Sequence, residues 1–111
     1  MNNVVKSAIA KYQSGYSLPQ KLYTSREAFE FDMQHVFKKH WIHVGTVADV
    51  KRKGDFRVVE IDNNSIIIVR GQDDQVRAFY NSCRHRGAKV CVKDKGNVPK
   101  LVCSYHQWVY E

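Results

Sequence analysis

Two short segments constrain this chain more than anything else in it: Cys83-Arg84-His85 and Cys103-Ser104-Tyr105-His106, with 17 residues between them. Each offers one thiolate and one imidazole. Set face to face as similar loops, they present two Cys and two His together. A single tetrahedral zinc can use such a set, but zinc modules generally pair Cys with Cys at roughly two- to four-residue spacing. A Cys-x-His pair is too tight for comfortable chelation of one small ion. If each loop gives its Cys to one metal and its His to a second, the tight spacing becomes natural. That is the ligand set of a [2Fe-2S] cluster with two Cys on one iron and two His on the other. Neutral imidazoles in place of two thiolates leave this cluster less negative than an all-cysteine centre. An added electron then meets less repulsion, and the potential rises to roughly −150 to +300 mV. The imidazoles keep an N–H that can donate a hydrogen bond or couple a proton to the electron. Such a centre moves electrons singly.

The rest of the chain has to build a domain around those loops. Its 111 residues suit one compact domain, and 43% hydrophobic residues can bury a modest core without staples. The apolar runs are short, Ile66–Val69 for example, so no membrane span is expected. The first ten residues carry one Lys and no sustained apolar stretch, unlike a secretory signal. Three Cys without an export signal point to a reducing, cytoplasmic setting rather than a disulfide scaffold.

Val4, Val5, Ala8, Ile9 and Tyr12 recur at helical spacing and predict a short amphipathic helix ending near Gly15. Tyr16 to Tyr23, with Pro19, reads as an extended connector. Thr24 and Glu27 form a capping-box pattern, which predicts a second helix running to about Lys39 with Phe29, Met33, Val36 and Phe37 as its apolar stripe. The period then changes to two. Trp41–Ala48, Asp55–Ile61, Ser65–Arg70 and Gln75–Tyr80 read as strands, with turns at Asn63-Asn64 and Gly71–Asp74, so an antiparallel meander is expected. From Asn81 to Glu111 short strands, one of them at Ala88–Val92, alternate with the two loops.

The loops and their flanks, Asn81-Ser82-Cys83-Arg84-His85-Arg86-Gly87 and Cys103-Ser104-Tyr105-His106-Gln107-Trp108-Val109-Tyr110, resemble the N-terminal domain of Rieske non-haem iron oxygenases. The resemblance runs from about Leu18 to Glu111. It is nearest to the branch that demethylates glycine betaine and related quaternary ammonium compounds, through Phe31-Asp32-Met33-Gln34-His35, Val69-Arg70-Gly71 and Lys100-Leu101-Val102-Cys103. It implies a mainly β Rieske [2Fe-2S] domain of antiparallel sheets over residues 41–111, preceded by a segment with two N-terminal helices over residues 1–40. Cys83 and Cys103 would hold one iron of the cluster, and His85 and His106 the other. Gly87 suits a tight loop whose backbone N–H groups approach the cluster, and Trp108 and Tyr110 would pack beneath it. Respiratory-complex Rieske proteins carry a bridging disulfide whose positions match Ala88 and Tyr105, so that bridge cannot form. Their hydrogen-bonding serine matches Trp108, which implies fewer donors and a potential in the lower part of the Rieske range. Ser104 stands where Pro is common in the family, and Gln107 where Gly is common.

The implied role is electron input: from a reductase or ferredoxin, through the cluster, to a mononuclear non-haem Fe(II) in a catalytic domain of the same or a neighbouring subunit, within a trimer. That catalytic domain is not in these residues, and in the family the chain continues past the Trp108–Tyr110 strand. The sequence therefore reads as the electron-input piece of an oxygenase α subunit, redox-active but without a catalytic residue of its own. A stand-alone Rieske ferredoxin is the alternative, and a structural zinc module the second.

Three further features compete for a role. Asp32, His35 and His40 reproduce the spacing of the family's mononuclear iron motif. They precede the cluster loops, however, and five residues along a helix turn by about 140°, so the two His do not share a face. His43, in an expected strand, reads as structural or exposed. Cys91 has no partner at ligand spacing and reads as a small buried hydrophobe. Finally, the formal charge is +7, and Arg84, Arg86, Lys89, Lys93, Lys95 and Lys100 crowd the loops against Asp94 alone. No nucleic-acid motif accompanies them. A positive field there would stabilise a reduced cluster and steer an acidic electron donor, or simply serve as a solubilising surface.

Overall fold

The structure, a computed structural model, describes residues 3–111 and divides into two compact units, one ending at His43 and one running from Val44 to Glu111. Met1 and Asn2, which open the expected helical segment, lie outside the described residues.

The first unit packs three helices, α1 (Asn3–Ala10), α2 (Lys21–Thr24) and α3 (Arg26–His35). Val5, Ala8, Ala28 and Met33 are buried, small and flexible side chains that let short helices approach closely. The expected connector holds a helix: Pro19 lacks a donor and its carbonyl accepts the Leu22 N–H at 2.9 Å, starting the single turn of α2. Thr24 ends that turn instead of capping the next helix. Ser25 takes the cap, with extended backbone and a hydroxyl that accepts the Ala28 N–H at 3.2 Å. The α-helix stops at His35, and Phe37–Lys39 tightens into a 3-10 turn. Phe29, Val36 and Phe37 of the expected stripe are exposed; only Met33 is buried.

The second unit is built on a four-stranded antiparallel sheet of order β3-β2-β1-β4, from β1 (Asp55–Ile61), β2 (Asn64–Arg70), β3 (Val76–Tyr80) and β4 (Lys95–Asn97). The meander predicted from alternation is therefore present. Its register pairs Phe56 with Val69 and Val58 with Ile67 across β1 and β2, and Ile67 with Phe79 across β2 and β3. Ile67, 1% exposed, anchors a core with Phe56 and Cys91, packed by Val58, Val69, Val90, Val98 and Leu101. Burying such a side chain contributes roughly 1.5–3 kcal/mol. At the β2–β3 turn Arg77 donates to both carboxylate oxygens of Asp73, at 2.9 and 2.6 Å, and holds that carboxyl down at about 2. An apolar cleft of about 1210 Å³ opens beside the core, among Ile67, Val69, Phe79, Leu101 and Val109.

Trp41–Ala48 has strand alternation but no ladder, and Val47–Val50 coils into a 3-10 turn closed by a Thr46–Asp49 capping box. Alternation specifies a face; a strand also needs a neighbour to satisfy its N–H and C=O groups. Ala88–Val92 likewise forms no strand. It runs irregularly, secured by side-chain hydrogen bonds described below. A two-stranded sheet, β5 (Leu101–Val102) with β6 (Val109–Tyr110), completes the unit and carries the second loop at its tip.

Candidate metal centre

The two loops have the same internal construction. In the first, the Cys83 N–H donates to Ala88 O at 2.7 Å and the Gly87 N–H returns to Cys83 O at 2.8 Å. In the second, the Cys103 N–H donates to Trp108 O at 2.8 Å and the Gln107 N–H returns to Cys103 O at 2.8 Å. Closing each ring takes a left-handed residue four positions after the cysteine: Gly87 at φ 76° and Gln107 at φ 60°. A Cβ on Gly87 would meet nothing nearer than Ser82 Oγ at 3.9 Å, so glycine is required there by backbone conformation and not by space. Gln107 adopts the same conformation against the Cβ penalty of about 1–2 kcal/mol. Gln107→Gly should therefore raise the unfolding free energy by about 0.5–1 kcal/mol, once the backbone entropy of the new glycine is subtracted. Urea denaturation of the two proteins checks this, and a destabilised variant would refute it.

The loop geometry sorts the four candidate ligands by environment. Cys83 and Cys103 are both buried, 4% and 2% exposed. His85 and His106 are exposed, their ring centroids 4.8 Å apart at an interplanar angle of 68°. The arrangement is a pair of thiols inside and a pair of imidazoles outside. Two buried sulfurs and two exposed imidazoles are the donor set that a [2Fe-2S] group with two Cys and two His ligands would take.

Electrostatics favour a thiolate at Cys83. The Tyr110 hydroxyl, 3.2 Å from Cys83 Sγ, is the largest influence lowering its pKa. The backbone N–H groups of His85 and Arg86 and the Cys103 thiol act in the same direction, against the opposing effect of burial. Tyr110 Oη accepts the Arg84 N–H at 3.0 Å, which leaves its own proton for the sulfur. The same contact pushes the Tyr110 hydroxyl pKa up. Sequence reasoning placed Tyr110 as packing and missed this donor, because the contact follows from the register that puts Tyr110 opposite Leu101, next to the loop stem, and the sequence carries no signal of that register.

Trp108 is 46% exposed and lies flat against His85, with ring centroids 4.5 Å apart and planes 8° from parallel. Arg86 reaches over the Tyr105 ring at 5.9 Å. Together with the edge-on His85–His106 pair, these two contacts tie one loop to the other.

A profile of the Rieske [2Fe-2S] domain matches residues 40–111. The chain belongs to the Rieske [2Fe-2S] domain family. Members of this family bind a [2Fe-2S] cluster. Over 96 residues the chain is 48% identical to the glycine betaine monooxygenase oxygenase subunit of Pseudomonas aeruginosa, covering 86% of this chain and 22% of that protein. Its structure matches a naphthalene 1,2-dioxygenase from Rhodococcus sp. with a TM-score of 0.84 at 25% identity, over 96% of this chain and 24% of that one. It matches the quaternary ammonium Rieske monooxygenase CntA in complex with L-carnitine with a TM-score of 0.75 at 33% identity, over 82% and 26%. The chain thus spans about a fifth of the length of the glycine betaine enzyme.

The remaining candidates separate cleanly. His35 Nδ1 faces Phe31 O at 3.0 Å and His40 Nδ1 faces Val36 O at 2.8 Å. Each imidazole is turned to a backbone carbonyl four residues before it. His43 is exposed, outside any strand. Cys91 is a free, buried thiol whose pKa is pushed up by burial, as expected of a core residue. No helix among the described residues is long and apolar enough to cross a membrane.

Proposed function

We propose that Cys83 and Cys103 hold one iron of the [2Fe-2S] cluster and His85 and His106 the other, and that this Rieske domain is the electron-input part of an oxygenase α subunit. The observation that carries the reading is the buried pair of thiols beside the exposed pair of imidazoles. When bound, the cluster supplies one-electron redox chemistry at a potential raised by its His ligation. Around it, Tyr110 donates a hydrogen bond to Cys83 Sγ, and the His85 and Arg86 N–H groups face the same sulfur. The two imidazoles form the exposed edge, the natural exit for an electron and a place to hold a proton.

The subunit as a whole acts on glycine betaine or a related quaternary ammonium compound; the 48% identity to the betaine enzyme supports this substrate class. Its partners are a reductase or ferredoxin donor and the catalytic domain, with its mononuclear iron, of the same or a neighbouring subunit in a trimer. The setting is cytoplasmic, in keeping with three free thiols. The exposed Arg84, Arg86, Lys93 and Lys95 beside the loops attract an acidic donor, so the rate of electron uptake should fall as ionic strength rises.

Anaerobic reconstitution with iron and sulfide tests the assignment. The expected product is coloured, carries two irons and two sulfides per chain, and gives an EPR signal on reduction. A colourless protein holding one zinc and no sulfide would overturn it.

A further inference from the structure

The second loop is closed by backbone: β5 and β6 pair Leu101 with Tyr110 and Val102 with Val109, directly under Cys103 and Trp108. The first loop has the same internal hydrogen bonds but no such ladder, because Ala88–Val92 is not a strand. Its stem is closed by one side chain. Asn81, 4% exposed and two residues before Cys83, donates from Nδ2 to Cys91 O at 2.8 Å and to Ser65 Oγ at 3.1 Å. Its Oδ1 accepts the Val90 and Cys91 N–H groups at 2.9 and 2.8 Å. Every donor and acceptor of the amide is used, and its backbone N–H extends the β2–β3 ladder by donating to Ser65 O at 2.8 Å.

We propose that Asn81 is a positioning residue that closes the first ligand loop, doing with a single carboxamide what the β5–β6 ladder does for the second. It joins the strand entering the loop to the segment leaving it, so that Cys83 and His85 are held on the rigid sheet. A carboxamide is suited to this because it presents the same donor and acceptor pair as a peptide group. No aliphatic side chain can replace it, and aspartate would set a carboxylate oxygen against Cys91 O. The proposal rests on the reading of Cys83 and His85 as ligands, and the test separates the two.

Amide hydrogen exchange on the full chain as purified provides the first arm. In Asn81→Ala, the Gly87 N–H, which belongs to the loop and does not touch Asn81, should exchange at least about tenfold faster, while the Gln107 N–H of the second loop is unchanged. Should Asn81→Ala fail to fold, Asn81→Ser, which keeps one acceptor, is expected to show the same pattern at reduced size. In the second arm the reconstituted protein should lose iron to a chelator about tenfold faster and show a broadened EPR signal. Val50→Ala, a buried position in the Val47–Val50 turn and outside the core cluster of Phe56, Ile67 and Cys91, is compared at equal unfolding stability. Wild-type exchange at Gly87 in the Asn81 variants, or reproduction of both effects by Val50→Ala, would overturn the proposal. A wild-type chain that takes up no cluster would instead sink the ligand assignment, and the exchange arm would still decide the role of Asn81.

Discussion

Cys103→Ala is expected to give a folded, colourless chain with no iron after reconstitution. Cys103 is 2% exposed, so the iron bond proposed for it would be shielded from water, with no other thiol in the second loop to take its place. Cys91 is a free thiol of the core cluster with Ile67 and Phe56 and has no place in the ligand loops. Removing the sulfur leaves a small void, worth about 1–2 kcal/mol of stability. The fold survives because the sheet core does not depend on this loop, while cluster binding is lost altogether. Cys91→Ala is the matched control: it costs a similar amount of stability and should keep the full iron content and visible spectrum. Iron and sulfide analysis of the two variants decides the matter. A Cys103→Ala protein with two irons, or a colourless Cys91→Ala protein, would refute the assignment of Cys83 and Cys103 as the thiolate pair.

Tyr110→Phe should keep the cluster but lower its potential. Reduction adds negative charge to the iron–sulfur unit, so a hydrogen bond to Cys83 Sγ stabilises the reduced state more than the oxidised one. With the hydroxyl gone that difference is lost. A differential of about 1 kcal/mol for a bond to a charged acceptor corresponds to roughly 40 mV for one electron, from 59 mV per tenfold. The Arg84 N–H also loses its acceptor, but it lies on an exposed segment where water can replace the oxygen. A redox titration followed by EPR measures the shift; an unchanged or higher potential would mean that Tyr110 does not donate to the sulfur. The loops do lack the serine of the respiratory proteins, yet the first cysteine retains a hydroxyl partner from β6.

Much of this protein was legible before its fold was known. The loop spacing singled out Cys83, His85, Cys103 and His106 as the proposed ligands, because ligand geometry restricts the residue types and intervals, whereas His35 and His40 reproduce a motif spacing and are set aside by their order in the chain and their rotation along a helix. The alternating strands Asp55–Ile61, Ser65–Arg70 and Gln75–Tyr80 were visible from their β-branched and aromatic residues and the short turns between them, although only the first two bury residues in the core and every residue of β3 is exposed. The N-terminal caps were less legible, since Thr24 and Ser25 carry the same capping chemistry, and which of them caps depends on the α2 turn that precedes it. Trp41–Ala48 alternates like a strand, yet among the described residues no segment pairs with it, and alternation without a pairing partner does not make a strand.

Sequence by itself determined the metal chemistry, since donor atoms and their spacing are local properties of a chain. Tertiary structure alone decided how that chemistry is held. Tyr110 reaches Cys83 from 27 positions away, Trp108 lies against His85, and Asn81 bonds to Val90 and Cys91 across the first loop. Each of these depends on distance between side chains that the backbone brings together only when sheet register is set. Register is a pairing of segments, and a pairing cannot be read from either segment alone.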